Sequence, residues 1–366
     1  MFNWFGRKGA PETTACAYAP PPWLAGTCDE GFAGGYASQM HEVYRTNPVG
    51  LRSVRLVAGS IGGLVVEAAQ PEAARLAKSV LESIGASLLL HGNAFVQLIA
   101  DSSGAPKELA LLRPERVSIA CDENGHASAY VYRAGGRAVR IAARDALHRR
   151  QVAHVRALNP ADDHLGLGCL DAACPAASIH NRASRWNKAL LDNAARPSGA
   201  LSYEPSDGLN LSAEQFARLK GELTEQFAGA INAGRPLLLD GGMKWQAMAL
   251  SPAEMDFVAL KESAARDIAL AFGVPPVLVG LPGDATYANA REAGRALYRQ
   301  TVLPMAERIL AELSALLSDW LGEVTLTVDA DQISELAEDR AKLWEQVRAA
   351  DFLSEAEKRA MLGFEA

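Results

Sequence analysis

Few residues of this sequence combine the types and the spacing that chemistry requires. The segment NPADDHLGLG places Asp162, Asp163 and His164 side by side, and His154 lies upstream. Carboxylates and imidazoles are common ligands of divalent metal ions, and such an ion could activate water to hydrolyse a phosphodiester. The same residues also suit an Asx-type turn between a strand and a helix, because an aspartate side chain accepts hydrogen bonds from nearby backbone N–H groups. We favour the turn and keep a metal-dependent phosphodiesterase as an alternative.

A row of arginines is the second candidate. Arg291, Arg295 and Arg299 recur at every fourth position of a long predicted helix, with Glu292 beside them, so the three guanidinium groups share one face. The row could contact phosphate groups. It could instead be a solvated face or form ion pairs between subunits, and we favour this second interpretation.

The motifs of common hydrolases are missing from the sequence. HExxH, GxSxG and a Walker-type glycine loop do not occur, and the glycines in VRLVAGSIGG lack the required spacing and a following Lys-Ser or Lys-Thr pair. The 5 cysteines form no CxxC pair, which favours reduced thiols over zinc binding or disulfides. We therefore expect no enzyme activity, no metal and no cofactor.

Composition and charge limit the class of protein. Hydrophobic residues make up 49% and charged residues 22% of the 366 residues, which is typical of a soluble globular protein with two or three domains. The formal net charge of −7 argues against tight binding of nucleic acid over a broad surface, since such binding requires clustered Lys and Arg. No purely apolar run of about eighteen residues occurs, so we expect no membrane span, and we expect no signal peptide at the N-terminus.

The elements that must position these residues form an α+β pattern. Residues 1–35 are rich in Ala, Gly and Pro and predict a flexible arm. Two helices separated at Asn47-Pro48, a strand near Leu64–Val66 and one helix over 71–92 follow. Five runs between turn signals, AFVQLIA, LALLRPERVSIACD, ASAYVYRAG, RAVRIAAR and VAHVRAL, predict an antiparallel meander.

The middle of the chain predicts a smaller α/β region. A helix rich in small residues is expected from about residue 169, followed by a strand in LSYEP. Ser212 and Gln215 have the spacing of a capping box and predict another helix. Two strands are expected in RPLLLDGGMKWQAMAL.

The last third predicts two helices around a loop. Ser251 should cap the first, which Gly273 ends. After a loop rich in Gly, Pro, Asp and Thr, a helix over Asn289–Leu321 should bend at Pro304, because proline frees a backbone carbonyl in the preceding turn. A strand in EVTLTVDA and a helical tail with a capping box at Ser354 complete the chain.

Seven blocks, taken in order, resemble the portal proteins of long-tailed bacteriophages, and more narrowly the short portals of phage-derived gene transfer agents. The blocks are LLLHGNAFVQLI, LLRPERVSI, VAHVRALNPADDHLGLGCLDAA, NAARPSGAL, AGRPLLLDGGMKW, LSPAEMDFVALKESAARDIALAFGVPPVLVG and TYANAREAGRALYRQTVLPMAERI. The resemblance runs from about residue 35 to the C-terminus. One departure is Gly168-Cys169, where the family usually begins the next helix with Ser-Pro.

This resemblance implies an α+β portal fold with a wing, a helical stem, an α/β clip, a long kinked helix after a tunnel loop, and a short helical crown. After the flexible arm of residues 1–35, the implied boundaries are 36–168 for the wing, 169–196 and 251–272 for the stem helices, 197–250 for the clip, 273–288 for the tunnel loop, 289–330 for the long kinked helix with a wing strand, and 331–366 for the crown.

The resemblance also implies a structural function. The protein would form a ring, usually of twelve subunits, at one capsid vertex and surround a channel for packaging and ejecting double-stranded DNA without sequence specificity. Expected partners are the terminase large subunit, the head–tail adaptor and the major capsid protein. The particle, a virion or a gene transfer agent, would be assembled in the bacterial cytoplasm. A monomeric adaptor that binds partners through its C-terminal helices is a third hypothesis.

The site residues follow from the same resemblance. They are Asp284, Thr286, Tyr287 and Asn289 in the tunnel loop, Arg291, Arg295 and Arg299 in the channel or between subunits, and Arg235, Lys244 and Trp245 on the clip, where the motor and the adaptor would bind. The loop side chains are polar but not basic, which suits a weak sliding contact, because each Lys or Arg held on phosphate adds affinity that every step must undo.

Overall fold

The chain divides into two compact units. A computed structural model of the protein describes residues 35–192, 199–203, 212, 214, 217–218, 243–247, 257–281 and 286–362. The first unit, here called the discontinuous unit, comprises Met1–Ala173 and Ala269–Ala366, and the second, the inserted unit, comprises Cys174–Ile268. In the part that the structure describes, no helix is long and apolar enough to cross a membrane.

The discontinuous unit begins with helices. These are α1 (Tyr36–Gln39, continued by a π-helical turn over Met40–Arg45), α2 (Pro48–Gly63), α3 (Pro71–Lys78) and α4 (Leu81–His91). Asn47 caps α2, since its Oδ1 accepts hydrogen bonds of 3.0 Å from the backbone N–H groups of Val49 and Gly50. The predicted helix break at Asn47-Pro48 is therefore confirmed.

The prediction of a single helix over 71–92 is wrong, because the structure has two helices there, α3 and α4. α3 ends before Ser79, whose hydroxyl donates to the carbonyl of Leu76 at 2.7 Å. A serine that bonds to the backbone in this way competes with the regular helical hydrogen bonds. Gly92, with φ of 75°, ends α4 in the left-handed conformation.

The first 156 residues contain seven described strands, of which six form two antiparallel sheets and the first, between α2 and α3, pairs with a later strand. They are β1 (Val66–Glu67), β2 (Asn93–Ala100), β3 (Pro106–Leu112), β4 (Val117–Cys121), β5 (Ala127–Ala134), β6 (Arg137–Ala142) and β7 (Val152–Arg156). One sheet has the order β3-β2-β7 and the other β4-β5-β6. Aromatic and aliphatic side chains of both sheets form one buried cluster: Phe95, Leu112, Tyr130, Ile141 and Val152.

The predicted single meander is wrong in its pairing, although all five of its runs contain strands. A 3₁₀ turn over Pro114–Arg116 splits the second run into β3 and β4, since Pro114 has no N–H group for a ladder. The last strand returns to the first, with Phe95 opposite His154 in an antiparallel ladder.

A nearly continuous helical rod crosses the discontinuous unit. It consists of α7 (Tyr287–Leu297), a π-helical turn (Tyr298–Val302) and α8 (Leu303–Leu321). The rod begins at Tyr287 rather than at the predicted Asn289, because the Thr286 hydroxyl caps it by accepting from the Asn289 backbone N–H at 3.2 Å. A π-helical turn interrupts the regular α-helical pattern just before Pro304, and the predicted bend at Pro304 stays a prediction.

The buried face of α8 forms the centre of the discontinuous unit. Its fully buried residues are Ala306, Ile309, Leu313, Leu316 and Leu317. They pack against α2, α3, α4 and β7 and against strand β10 (Thr327–Val328). The predicted strands of the wing meet here, since β1 pairs with β10 in the register Val66–Val328 and Glu67–Thr327.

The C-terminal tail is helical, as predicted. Two 3₁₀ turns, Ala330–Gln332 and Ser334–Leu336, lead into α9 (Ala337–Ala349) and α10 (Glu355–Met361). The capping box of α10 is confirmed: Ser354 and Glu357 exchange side-chain and backbone hydrogen bonds.

In the inserted unit the structure describes two long helices, a pair of strands and the helical residues 214, 217 and 218, which lie in the helix predicted after Ser212. Helix α5 (Leu170–Asp192) starts at the end of the discontinuous unit, and α6 (Phe257–Ala271) returns to it. Strand β8 (Gly199–Tyr203) pairs with β9 (Met243–Ala247) in antiparallel fashion. The rings of Trp186 on α5 and Phe257 on α6 lie 6.2 Å apart. The predicted cap at Ser251 and the partner Gln215 of the predicted capping box lie outside the described residues.

Two glycines of α2 allow a matched test of its packing. A Cβ atom at Gly50 would lie 2.1 Å from the carbonyl oxygen of Val43, whereas a Cβ atom at Gly59 would meet nothing within 4 Å. Gly50→Ala should lower the free energy of unfolding by at least about 1–3 kcal/mol because of overpacking. Gly59→Ala should raise it by up to about 1 kcal/mol, because alanine favours the helix. Denaturant unfolding of both variants checks this, and equal effects would contradict the described packing of α2.

Candidate functional site

The aspartates at 162 and 163 belong to a turn. Asp162 Oδ1 accepts hydrogen bonds from the backbone N–H groups of His164 at 2.7 Å and Leu165 at 2.9 Å. Asp163 contributes its backbone carbonyl to the guanidinium of Arg156. The interpretation as an Asx-type turn is therefore confirmed.

The two histidines of the proposed metal site serve different neighbours. His154 Nε2 lies 3.0 Å from Asn93 Oδ1, and its ring stacks on Phe95 with centroids 4.1 Å apart. His164 Nε2 lies 3.7 Å from the sulfur of Cys121. Throughout the described ranges, no group of three or more His, Cys, Asp or Glu side chains could hold a metal ion. The phosphodiesterase alternative thus has no support in the structure.

Burial keeps His154 neutral. Desolvation, followed by the positive charge of Arg156 and the neighbouring His164, lowers the pKa of His154 from 6.5 to about 3. Asn93 fixes the ring, because its amide nitrogen donates to the Gly166 carbonyl at 2.9 Å and its oxygen is left to accept from His154. A neutral imidazole with this hydrogen bond is a structural group of the β2–β7 pair.

A cleft of about 660 Å³ opens beside His154. Four arginines line it: Arg144, Arg150, Arg156 and Arg308. Asp319 lies 3.5 Å from Arg144 and 3.7 Å from Arg150, and it also accepts from the backbone N–H of Arg150 at 2.9 Å. These contacts tie α8 to the sheets, so two of the four charges already have a carboxylate partner.

The predicted tunnel loop is described at both ends. Gly273, with φ of 65°, ends α6, and its carbonyl accepts from the Thr301 hydroxyl at 2.8 Å. A 3₁₀ turn over Pro276–Val279 follows and ends at Gly280, with φ of 79°. Asp284 lies outside the described residues.

The other predicted loop residues lie where the rod begins. Thr286 is the cap, and Tyr287 and Asn289 belong to the first turn of α7 rather than to the loop. The loop therefore ends at Thr286, two residues before the predicted end at 288, because the Thr286 cap starts the helix. The side chain of Tyr287 is 84% exposed, which is unusual for a large aromatic residue.

The arginine row pairs with carboxylates of the same chain. Arg291 lies 2.5 Å from Glu338, Arg295 lies 2.9 Å from the same carboxylate, and Arg299 lies 2.5 Å from Asp339. Arg295 also pairs with Glu292 at 2.8 Å. Neither interpretation of the row included these partners on α9, which lie at least 40 residues further along the chain.

Two of the three predicted clip residues lie on a described strand. Lys244 and Trp245 belong to β9, opposite Ser202 and Leu201 of β8. Arg235 lies outside the described residues.

Comparison with known proteins supplies the family for this arrangement. The helical rod, the two antiparallel sheets and the inserted unit define an α+β fold. A family model described as phage portal protein matches residues 52–363. The chain belongs to the phage portal protein family, and this membership gives it a role at the portal vertex.

Relatives by sequence include bacterial and phage proteins. An uncharacterized protein of Rickettsia bellii (strain RML369-C) is 38% identical over 343 residues, which cover 88% of each chain. A probable portal protein of Streptomyces phage phiC31 is 30% identical over 175 residues, or 46% of this chain and 36% of that protein.

Solved structures share the fold. A chain in the neck of a native gene transfer agent particle, computed with C12 symmetry, has a TM-score of 0.70 and 42% identity, covering 90% of this chain and 93% of that chain. The neck of the empty particle, computed with C6 symmetry, matches equally well. An HK97 family phage portal protein from Corynebacterium diphtheriae has a TM-score of 0.56 at 19% identity, covering 80% of this chain and 96% of that chain.

The buried neutral His154 makes stability depend on pH. Between about pH 6.5 and 3 the unfolded chain binds a proton that the folded chain rejects, so falling pH favours unfolding by about 1.4 kcal/mol per pH unit. His154→Gln can still donate to Asn93 but does not titrate, and it should lose this part of the pH dependence. Urea unfolding of both proteins from neutral to mildly acidic pH measures the free energy of unfolding. If it fell equally with pH in both proteins, His154 would not be a buried neutral group.

Proposed function

We propose that copies of this protein form a ring at one vertex of a phage-derived particle and surround the channel through which double-stranded DNA enters and leaves. The likeness to a chain in a neck computed with C12 symmetry carries this proposal and supports a twelve-subunit ring. The particle is a virion or a gene transfer agent, assembled in the bacterial cytoplasm. The role is structural and involves no catalysis.

The parts of the portal follow the two units. The wing comprises the helices and sheets of 36–168 together with the end of the rod and β10. The stem comprises α5 and α6, the clip lies between them around the β8–β9 pair, and the crown comprises α9 and α10. The long connection from β1 to β10 and the insertion of one unit into the other support this division.

The segment 273–286 would face the channel as the tunnel loop. Helices at both ends support this role, because α6 and α7 fix where the loop starts and stops. Glycines with positive φ at Gly273 and Gly280 allow sharp changes of direction. The exposed ring of Tyr287 stands at the end of this segment and is available to passing DNA.

The partners of the ring would be the terminase large subunit, the head–tail adaptor and the major capsid protein. The clip, with Arg235, Lys244 and Trp245, would meet the motor during packaging and the adaptor afterwards. A monomeric adaptor has no observation in its favour.

Electron microscopy of the purified full-length protein, alone and in particles, tests the ring. We expect closed rings with a central hole, since relatives of this fold occur in necks with rotational symmetry. Light scattering provides a second measurement of mass. If only monomers were found under every condition, and native particles also contained no ring, the proposal would be refuted.

A matched pair of aromatic substitutions tests the channel role. Tyr287 and Phe352 are 84% and 87% exposed, but only Tyr287 lies at the proposed loop. Tyr287→Ala should leave folding and rings intact and reduce the DNA that particles package or retain, whereas Phe352→Ala should not. DNA content per purified particle is the measurement. Normal DNA content in Tyr287→Ala particles, or equal losses in both, would refute the role of Tyr287.

A further inference from the structure

We propose that Glu338 and Asp339 of α9 act as internal substitutes for phosphate and keep the arginine row from binding DNA. The arginine row consists of Arg291, Arg295 and Arg299. The inference rests on the proposed function for its setting, because it assigns the row a surface that DNA would otherwise hold.

The two carboxylates bridge the three arginines in sequence. Glu338 places Oε1 at 2.5 Å from Nη1 of Arg291 and Oε2 at 2.9 Å from Nη2 of Arg295. Asp339 places Oδ2 at 2.5 Å from Nη2 of Arg299 and at 3.5 Å from Nε of Arg295. Two neighbouring residues of α9 thus occupy donors along nine residues of the rod.

Carboxylate and phosphate compete for the same donors. The planar guanidinium group presents its N–H groups in a fork that fits the paired oxygens of either anion. With Glu292 also bound to Arg295 at 2.8 Å, the local cluster holds three positive and three negative groups. A neutral cluster releases few counterions from DNA and adds little affinity.

The row remains accessible from solvent. The side chains of Arg291 and Arg299 are 49% and 54% exposed, and that of Glu338 is 44% exposed. Exposed ion pairs such as that of Arg291 with Glu338 contribute little to stability, so Glu338 can be neutralised at little cost, and Asp339, at 24% exposed, is the more buried carboxylate. Arg295, only 11% exposed, keeps Glu292 as its partner after such a change.

Location favours DNA as the competing anion. The row starts five residues after Thr286, where the proposed tunnel loop ends, and all three residues lie on the rod that follows. An acidic segment of a protein partner would use the same donors, and tighter binding of polyglutamate but not of DNA would indicate such a partner.

The test measures binding of the full-length protein to a short double-stranded DNA of random sequence across salt concentrations. Glu338→Gln with Asp339→Asn should bind DNA about tenfold tighter or more at low salt. The slope of log K against log salt concentration should become steeper by about two to three, because each phosphate contacted adds about 0.9 to it. Adding Arg291→Gln, Arg295→Gln and Arg299→Gln should abolish the gain. The single change Asp339→Asn should give an intermediate gain.

A control variant removes the same charge elsewhere. Glu307 on α8 and Glu345 on α9 are exposed and carry no ion pair in the described part of the chain. Glu307→Gln with Glu345→Gln changes the net charge equally and should bind DNA like the unmodified protein. Circular dichroism of every variant verifies that the helix content of the protein is unchanged.

The outcomes separate this inference from the proposed function. A gain that depends on the arginine row and is absent in the control supports the inference. An equal gain in the control, no gain in a folded variant, or a gain for polyglutamate but not for DNA overturns it. Ring formation is scored on the unmodified protein by microscopy, so missing rings refute the proposed function whatever the DNA result, and rings without a gain refute the inference alone.

Discussion

The packing of one helix, α8, decides the architecture of the discontinuous unit. Its buried leucines and isoleucine contact α2, α3, α4 and β7, which precede it by more than a hundred residues. Burial of each such side chain contributes about 1.5–3 kcal/mol, far more than the two-residue pairing of β1 with β10 could supply. At the C-terminal end of α8, Trp320 Nε1 donates to the Arg150 carbonyl at 2.7 Å, and Asp319 accepts from the Arg150 backbone N–H at 2.9 Å. Since α7 continues into α8, this packing also fixes where the loop segment and the arginine row lie.

Local patterns predicted most elements of the fold. The Asn47 cap, the capping box at Ser354, the five strand runs and the helical rod depend on neighbouring residues, which a single sequence displays. The errors concern distant partners. Alternating apolar residues indicate a strand but carry no signal for its neighbour, so the return of β7 to β2 was missed. The break at Ser79 was missed because a serine inside a helical pattern is common and its bond to Leu76 depends on the fold.

The candidate site shows the same division between local and distant information. The turn at Asp162 was predicted because its hydrogen-bond partners lie two and three residues away. The spacing of the arginine row was visible, but Glu338 and Asp339 could not be recognised as its partners, since acidic residues at the start of a helix have a local explanation in the helix dipole. The family resemblance supplied the portal assignment, which the matching family model now confirms. It also supplied the loop and clip residues, which stay predictions.

The discontinuous unit combines the first and the last part of the chain, so its core can form only late in synthesis. Val66 finds its ladder partner Val328 only after 262 further residues have left the ribosome, on the order of 10–50 s at bacterial rates. Until then the nascent chain carries the apolar sides of α2, α4 and β7 without the helix that covers them. A polypeptide that ends before α8 would leave these apolar sides exposed to solvent. The core of the discontinuous unit can therefore close only when synthesis of the chain is nearly complete.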